Sequence, residues 1–232
     1  AANNTDAVDA GGQYVIEGLT TTGGTIVALY IDGASQDAVT VVLGSGSAMT
    51  GVHLYQDRLI VRSESGSVAV SNAQLDIADG NSDSDITGVF TADSSGLSVK
   101  SGKALFIPSS DTFTPGSAVT VGSGITIRGT FQPESNAVTL SGAWVNGGTF
   151  TPATSTVTLD GTYGQTLSGA TTFYNLTIAS SSGTTLETNQ TVSTTLTVNA
   201  GSTLTLQSFT LTATDATITN NGAIAENTGK IV

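Results

Sequence analysis

The middle of the chain repeats itself with a short, nearly fixed period. GTFQPESNAVTLSG at 129–142 aligns without gaps on GTFTPATSTVTLDG at 148–161, and DTFTPGSAVTVGSG at 111–124 is a looser copy. Phe113, Phe131 and Phe150 recur in the three copies, and each is followed two positions later by proline. A fixed period of roughly 20 residues predicts one small structural unit that stacks on copies of itself.

Each repeat contains short segments with the alternation of β-strands. TVTL, NLTI and TLTV alternate aliphatic residues with threonine and are bounded by Gly, Asn, Asp or Ser, the residues that favour turns. No stretch of eleven or more residues has the apolar spacing of an amphipathic helix. Two or three short strands per unit are the dimensions of one rung of a β-solenoid. We therefore predict an all-β chain with a parallel, β-helix-like solenoid from about residue 110 onward.

The repeat also predicts which side chains form the core. In a solenoid each rung pairs with the rungs above and below it, roughly 4.8 Å away, so equivalent residues stack in columns. The Phe of Phe-x-Pro would form an aromatic column, and Val and Leu of Val-Thr-Leu an aliphatic one. Outward threonines would form ladders, while proline and glycine would lie at the corners between strands.

The chain before residue 110 is less regular. We expect residues 1–12 to form a mobile N-terminal segment, residues 13–110 an irregular β region, and residues 111–232 the regular solenoid. Segments such as TIVALYI and RLIVRS still have the composition of strands. Two interpretations stay open for 13–110, early solenoid rungs or a β-sandwich of the jelly-roll type. The polar stretch 76–85 indicates an inserted loop.

The C-terminal half resembles a known class of repeats. AWVNGGTFTPATSTVTLDGTYGQTLSGATTFYNLTI at 143–178 is similar to the threonine- and glycine-rich repeats of large secreted bacterial and archaeal surface proteins. The resemblance covers residues 125–232. It implies a solenoid stalk of the kind found in adhesins, in fibre and sheath proteins and in S-layer-like proteins.

Charge and composition exclude several classes of partner. Among 232 residues, 6 are Lys or Arg and 18 are Asp or Glu, for a net charge of −12. So few cations cannot neutralise nucleic-acid phosphates or bind an anionic membrane surface. No apolar run reaches the roughly 20 residues of a membrane span, so we expect no membrane insertion. The small, polar opening AANNTDAVDA indicates secretion through a cleaved signal peptide, which predicts an extracellular or cell-surface location.

One acidic stretch is a candidate metal site. Asp79, Asn81, Asp83 and Asp85 alternate in DIADGNSDSDITG, so their oxygens could converge on Ca²⁺, the one cofactor that the sequence suggests. The stretch is not an EF-hand, since its sixth and twelfth positions are Ser and Phe rather than Gly and Glu. The alternative is a solvated loop tip. Weaker motifs are the Asn-x-Thr sequons at Asn3, Asn175 and Asn189, which are candidate glycosylation sites.

Nothing in the sequence has the pattern of a catalytic site. His53 is the only histidine, and the residues around it do not form a nucleophile elbow. Glycoside hydrolysis needs two carboxylates in one cleft, and the C-terminal hundred residues hold only scattered acids. Trp144, Tyr163 and Tyr174 are expected in the core or at corners rather than as a sugar platform. We therefore assign no catalytic residues and expect no enzyme activity.

These observations favour a structural function. The open ends of a solenoid carry strand edges that recruit a further strand. We expect a subunit of an extracellular filament, sheath or surface layer that polymerises with itself, head to tail or by donation of a strand such as QYVIEGL at 13–19. The alternatives are an adhesin or phage-fibre-like module that binds glycans and, third, a polysaccharide-degrading enzyme.

Overall fold

The computed structural model describes residues 5–66, 68–80 and 83–232 and is a parallel β-solenoid of about 10 turns. The N-terminal part contains β1 (Gly23–Tyr30), β2 (Ala38–Ser45), β3 (Arg58–Ser63), α1 (Asn72–Asp79), α2 (Ser84–Thr87), β4 (Phe90–Asp93) and β5 (Gly96–Val99). The repeats form β6 (Ala104–Ile107), β7 (Thr112–Phe113), β8 (Ala118–Val121), β9 (Ile125–Ile127), β10 (Thr130–Phe131), β11 (Ala137–Leu140), β12 (Trp144–Asn146), β13 (Thr149–Phe150) and β14 (Thr156–Leu159). The C-terminal part contains β15 (Gln165–Ser168), β16 (Thr171–Ile178), β17 (Thr184–Leu186), β18 (Gln190–Val198), β19 (Thr203–Thr205), β20 (Thr210–Thr212), β21 (Thr217–Asn220), β22 (Ala223–Ala225) and β23 (Lys230–Ile231).

Three sheets run along the solenoid and form its sides. Sheet A has the order β1-β2-β3-β6-β9-β12-β15-β17-β19-β22, and the short sheet B has the order β13-β10-β7. Sheet C has the order β23-β20-β18-β16-β14-β11-β8-β5-β4, with β21 also paired to β18. The long strands β16 and β18 pair with each other, and β18 also pairs with two separate strands, β20 along its first part and β21 along its second.

The predicted columns form the core. Phe113, Phe131 and Phe150 are in register on adjacent strands, and Phe131 is fully buried. Val138 and Val157 are likewise in register and fully buried, one rung apart. The alternation that the sequence shows is therefore the alternation between core and surface, and the solenoid prediction is confirmed.

The solenoid also includes the N-terminal part, so a sandwich is not needed to describe it. β2 pairs in parallel with β3, β3 with β6, and β5 with β8. Arg58 pairs with Ala104, and the two residues are separated by more than two repeat lengths of sequence. The separation is this large because α1, α2 and β4 are inserted into one turn. This insertion breaks the sequence period before residue 110.

The sequence predicts an inserted loop at 76–85, whereas the structure has helical residues at both ends of this stretch. α1 ends at Asp79, and α2 begins at Ser84. α1 spans eight residues, shorter than a detectable amphipathic repeat, and it buries Leu75 and Ala78 on one face. The Ser71 N–H donates to Gln74 Oε1 at 2.8 Å, which satisfies a free donor at the start of the helix.

The two ends of the solenoid differ. At the N-terminal end, β1 pairs antiparallel with β2 and β4 pairs antiparallel with β5. α1 packs against β4 and β1, and its Leu75 joins the main core together with Ile86 of α2. Helices and antiparallel strands thus cover this end of the core. At the other end, β21, β22 and β23 are the outermost strands, and no further rung of the described chain covers them.

Candidate functional site

The predicted calcium ligands lie in the helical cap. Asp79 ends α1, Asp83 is the N-cap of α2, Asp85 lies in its first turn, and Asn81 falls outside the described residues. Asp83 Oδ1 accepts from the Asp85 N–H at 2.9 Å, and Asp79 Oδ2 accepts from the Ala92 N–H at 3.1 Å. These carboxylates therefore stabilise the local backbone of the cap.

The same carboxylates connect the cap to the loop after β1. Asp83 Oδ2 accepts from the Tyr30 hydroxyl at 3.1 Å, and Asp85 Oδ2 accepts from the Gly33 N–H at 2.8 Å. Burial, together with the hydrogen bond to Asp83, raises the pKa of Tyr30. In the part of the chain that the structure describes, no group of three or more His, Asp or Glu side chains is placed to hold a metal ion. Calcium binding stays a prediction.

The structure places two of the three sequons on strands or corners. Asn175 lies on the outer side of β16, where its Nδ2 donates to Thr156 Oγ1 at 3.2 Å. Asn189 precedes β18, and its Oδ1 accepts the Thr210 N–H at 2.9 Å. Asn3 lies outside the described residues. Glycosylation of these residues stays a prediction.

The aromatic residues divide between core and surface. Trp144 is fully buried, and its Nε1 donates to Thr171 Oγ1 at 3.1 Å. Tyr163 is 83% exposed, in the turn before β15, and Tyr174 is partly buried within β16. Trp144 therefore packs in the core, whereas the Tyr163 side chain lies outside the core and faces solvent.

The outer side of sheet C carries two columns of small, uncharged residues. Six threonines, one from each of six successive rungs, stand in register along it (Thr120, Thr139, Thr158, Thr177, Thr197 and Thr219). A second column, two residues earlier in each strand, contains Ala137, Thr156, Asn175, Thr195 and Thr217. In a chain with net charge −12, these columns offer neither an acid–base pair nor a nucleophile with a base.

His53 lies on the loop 46–57, which crosses the outer side of sheet A. Thr40 Oγ1 donates to the His53 carbonyl oxygen at 2.5 Å, and Thr40 is fully buried beneath the loop. Arg62 holds the loop from the strand side, since its guanidinium donates to the carbonyl oxygens of Gly51 at 2.5 Å and Thr50 at 2.8 Å. The loop is thus fixed on the sheet by hydrogen bonds from β2 and β3.

A groove of about 420 Å³ lies between this loop and the corner 108–111. Tyr55, Arg62, Glu64 and Asp111 are among the residues that line it. Arg62 forms an ion pair with Glu64 at 2.5 Å, and Asp111 Oδ1 accepts the Ser63 N–H at 2.8 Å. Burial raises the pKa of Asp111, although the Ser63 N–H and the Arg62 charge oppose the shift.

The sequence does not indicate that Arg62, Glu64 and Asp111 line the same groove as His53. Asp111 lies far from the other three in the sequence, and the four residues share no motif with fixed spacing. The pairing of β3 with β6 brings the corner after β6 beside the end of β3. To predict that the corner after β6 lies beside β3, one would need to know where the helices are inserted, and the sequence pattern does not show this.

Hydrophobic positions of the last rung are exposed where their equivalents one rung earlier are buried. Ile218 is 40% exposed, whereas Leu196, its partner in the preceding rung, is fully buried. Ile224 and Ile231 are partly exposed, whereas Leu204 and Leu211 before them are buried. The end of the core columns therefore forms an apolar surface edged by the strands β21, β22 and β23.

Comparison with protein-family models, with curated proteins and with solved structures finds no match. The resemblance to secreted surface proteins therefore stays a prediction, whereas the solenoid of threonine-rich strands is observed. Neither helix in the described residues has the length and apolarity to cross a membrane.

Proposed function

We propose that this chain is a structural subunit of an extracellular filament, sheath or surface layer, in which copies associate through the last rung. The observation that carries the proposal is the exposed end of the core columns at Ile218, Ile224 and Ile231. An edge of this kind pairs with a further strand. Here the strand is taken from a second copy of the same chain.

The difference between the two ends supports an open polymer. The N-terminal end is covered by α1, α2 and antiparallel strands, while the opposite end presents β21, β22 and β23. A contact between two different surfaces of the same molecule is heterologous, and repetition of such a contact without closure generates a filament. The uncharged columns of sheet C offer a lateral surface at which acidic copies would bring no like charges of these columns into direct contact.

Two modes of association are compatible with the exposed rung. In the head-to-tail mode, the rung packs on the cap of the next copy, where Ile77 of α1 is 63% exposed. In the donation mode, residues 13–19 of the next copy add as a strand. This segment forms no strand in the described chain, and its Val15 is 67% exposed. The Tyr14 hydroxyl, which donates to the Val52 carbonyl oxygen at 2.8 Å, ties the segment to the loop 46–57.

Electron microscopy and sedimentation velocity test the proposal. The chain of 232 residues should form filaments or end-to-end oligomers at high concentration, and Ile218→Lys should abolish them because it places a charge in the apolar end of the columns. Val15→Lys should abolish assembly only in the donation mode, and Ile77→Lys only in the head-to-tail mode.

Tyr163→Lys is the matched control, because it places the same charge on an exposed corner away from both ends. It should assemble like the unmodified protein. Monodisperse monomers of the unmodified protein at high concentration, with and without Ca²⁺, would contradict the proposal. An equal loss of assembly in Tyr163→Lys and Ile218→Lys would contradict the role of the last rung.

A further inference from the structure

The groove between the loop 46–57 and the corner 108–111 has the composition of a ligand site. Its volume, about 420 Å³, lies within the roughly 300–1,000 Å³ of small-ligand pockets. Aromatic rings, carboxylates, a guanidinium group and hydroxyl groups all line it. The groove lies away from the last rung, and the Tyr14 hydroxyl joins its loop to the segment 13–19.

The aromatic part of the lining contains two exposed rings, His53 and Tyr55. They are stacked within 11° of parallel, with centroids 5.8 Å apart, so each ring supports the other. Tyr55 is 43% exposed, although it contacts Phe106 edge to face at 6.0 Å. An exposed tyrosine that is held in place by a neighbouring ring loses little conformational freedom when it binds a ligand.

The polar groups of the lining are fixed by their own hydrogen bonds. Arg62 pairs with Glu64 and also donates to two carbonyl oxygens of the loop. Asp111 is held by the Ser63 N–H and is 7% exposed. At the rim, Ser110 adopts a left-handed backbone conformation with φ of 71° and is exposed together with Ser109. Hydroxyl, carboxylate and guanidinium groups thus surround the space beside the rings.

The charges of the groove favour a ligand without charge. Glu64 and Asp111 line the groove together with Arg62, whereas Arg58 is not part of the lining and lies about 6.0 Å from the centroid of the Tyr55 ring. Two carboxylates thus face one guanidinium group, which is already paired with Glu64. An anionic ligand would face both carboxylates, and a cationic ligand would compete with Arg62 for its own partners.

We propose that this groove binds a neutral oligosaccharide. A pyranose ring has an apolar face of C–H groups that matches an exposed aromatic ring such as Tyr55, and a rim of hydroxyls that both donate and accept hydrogen bonds. Carboxylate, guanidinium and serine groups satisfy such a rim, whereas a purely apolar ligand would leave them unpaired. The groove is open along the surface, so a chain of sugars can extend beyond it.

The test uses the full chain and four hexasaccharides, the neutral maltohexaose, cellohexaose and chitohexaose and the acidic hexagalacturonate, in titration calorimetry. At least one neutral hexasaccharide should bind, and more tightly than hexagalacturonate. Tyr55→Ala should weaken that binding at least tenfold, whereas Tyr55→Phe should retain most of it because the ring face remains.

Tyr163→Ala is the control, because it removes an even more exposed tyrosine from another part of the solenoid. It should leave binding unchanged. Circular dichroism establishes that Tyr55→Ala folds, which is expected for a half-exposed side chain. The proposal is overturned if none of the three neutral hexasaccharides binds, if hexagalacturonate binds more tightly, or if Tyr55→Ala and Tyr163→Ala affect binding equally.

Discussion

Phe113 and Phe131 lie face to face in the core, with ring centroids 5.7 Å apart and ring planes 8° from parallel. Phe150 continues the column one rung further, at 5.8 Å from Phe131. Trp144 contacts both Phe131 and Phe150, so the column widens into a cluster that also includes Phe173. Because each ring is held by the rung above and the rung below, the centre of this cluster should be the most sensitive part of the repeat.

Phe131→Ala should destabilise the protein by about 3–5 kcal/mol, the range for truncation of a buried phenylalanine. Phe131 is fully buried and contacts aromatic rings from three other strands. The cavity that the substitution leaves therefore cannot close unless the backbone of β10 moves. Urea unfolding followed by circular dichroism measures the change.

Phe131→Leu is the comparison for this prediction. It keeps an apolar side chain in the column and should cost less than Phe131→Ala. Equal losses for the two variants would show that the aromatic stacking, rather than the volume of the side chain, stabilises this rung.

The sequence was sufficient to predict the regular part of the fold. Phe113, Phe131 and Phe150 recur at an almost constant spacing, and this spacing is the length of one turn of the solenoid. A constant turn length therefore places equivalent residues in one column. Before residue 110 the turn length is not constant, because α1, α2 and β4 enlarge one turn, and the period can no longer be read.

The groove could not be predicted for the same reason. His53 and Arg62 are close in the sequence, but Asp111 reaches them only through the pairing of β3 with β6 across the inserted helices. The acidic stretch was visible in the sequence, yet local composition did not reveal that Asp83 and Asp85 would bind Tyr30 and Gly33. Contacts between side chains from distant turns can be predicted only once the order and pairing of the strands are known.

Gly169→Ala should be strongly destabilising, by about 2 kcal/mol or more, because two costs add. Gly169 has φ of 80°, which disfavours side chains, and an added Cβ would lie 1.7 Å from the Asn146 carbonyl oxygen. Thermal unfolding measures the effect. Gly164→Ala is the control, because a Cβ there meets no atom within 4 Å, and it should change stability by less than about 0.5 kcal/mol. Similar melting temperatures for the two variants would contradict the close packing of this corner.

Gln165→Met should destabilise the protein by about 3 kcal/mol although the side chain keeps its length, because buried groups lose their partners. Gln165 Nε2 donates to the carbonyl oxygens of Leu140 at 2.9 Å and Gly142 at 2.8 Å, and Oε1 accepts the Gly161 N–H at 2.8 Å. Urea unfolding measures the loss, with Thr166→Val on the outer side of β15 as the control. A Gln165→Met variant as stable as Thr166→Val would show that water replaces these hydrogen bonds.

Asp111→Asn should stabilise the protein at neutral pH but not in acid. Burial raises the pKa of Asp111 above its unfolded value, so the folded state favours the protonated carboxyl group. The stability that this group contributes is complete below the unfolded pKa, about 3.9, and is lost as the pH rises through the folded pKa. An asparagine stays neutral throughout, and its Oδ1 can still accept the Ser63 N–H that Asp111 accepts at 2.8 Å.

The measurement for Asp111→Asn is the free energy of unfolding in urea from pH 3 to pH 7, taken as the difference between the variant and the unmodified protein. Titration of all other groups is shared by the two proteins and cancels in this difference. The difference should be near zero at pH 3 and should favour the variant increasingly as the pH rises. A difference that instead favours the unmodified protein at pH 7 would show that the Arg62 charge outweighs the burial of the carboxylate, and that Asp111 is a stabilising anion in the wall of the groove.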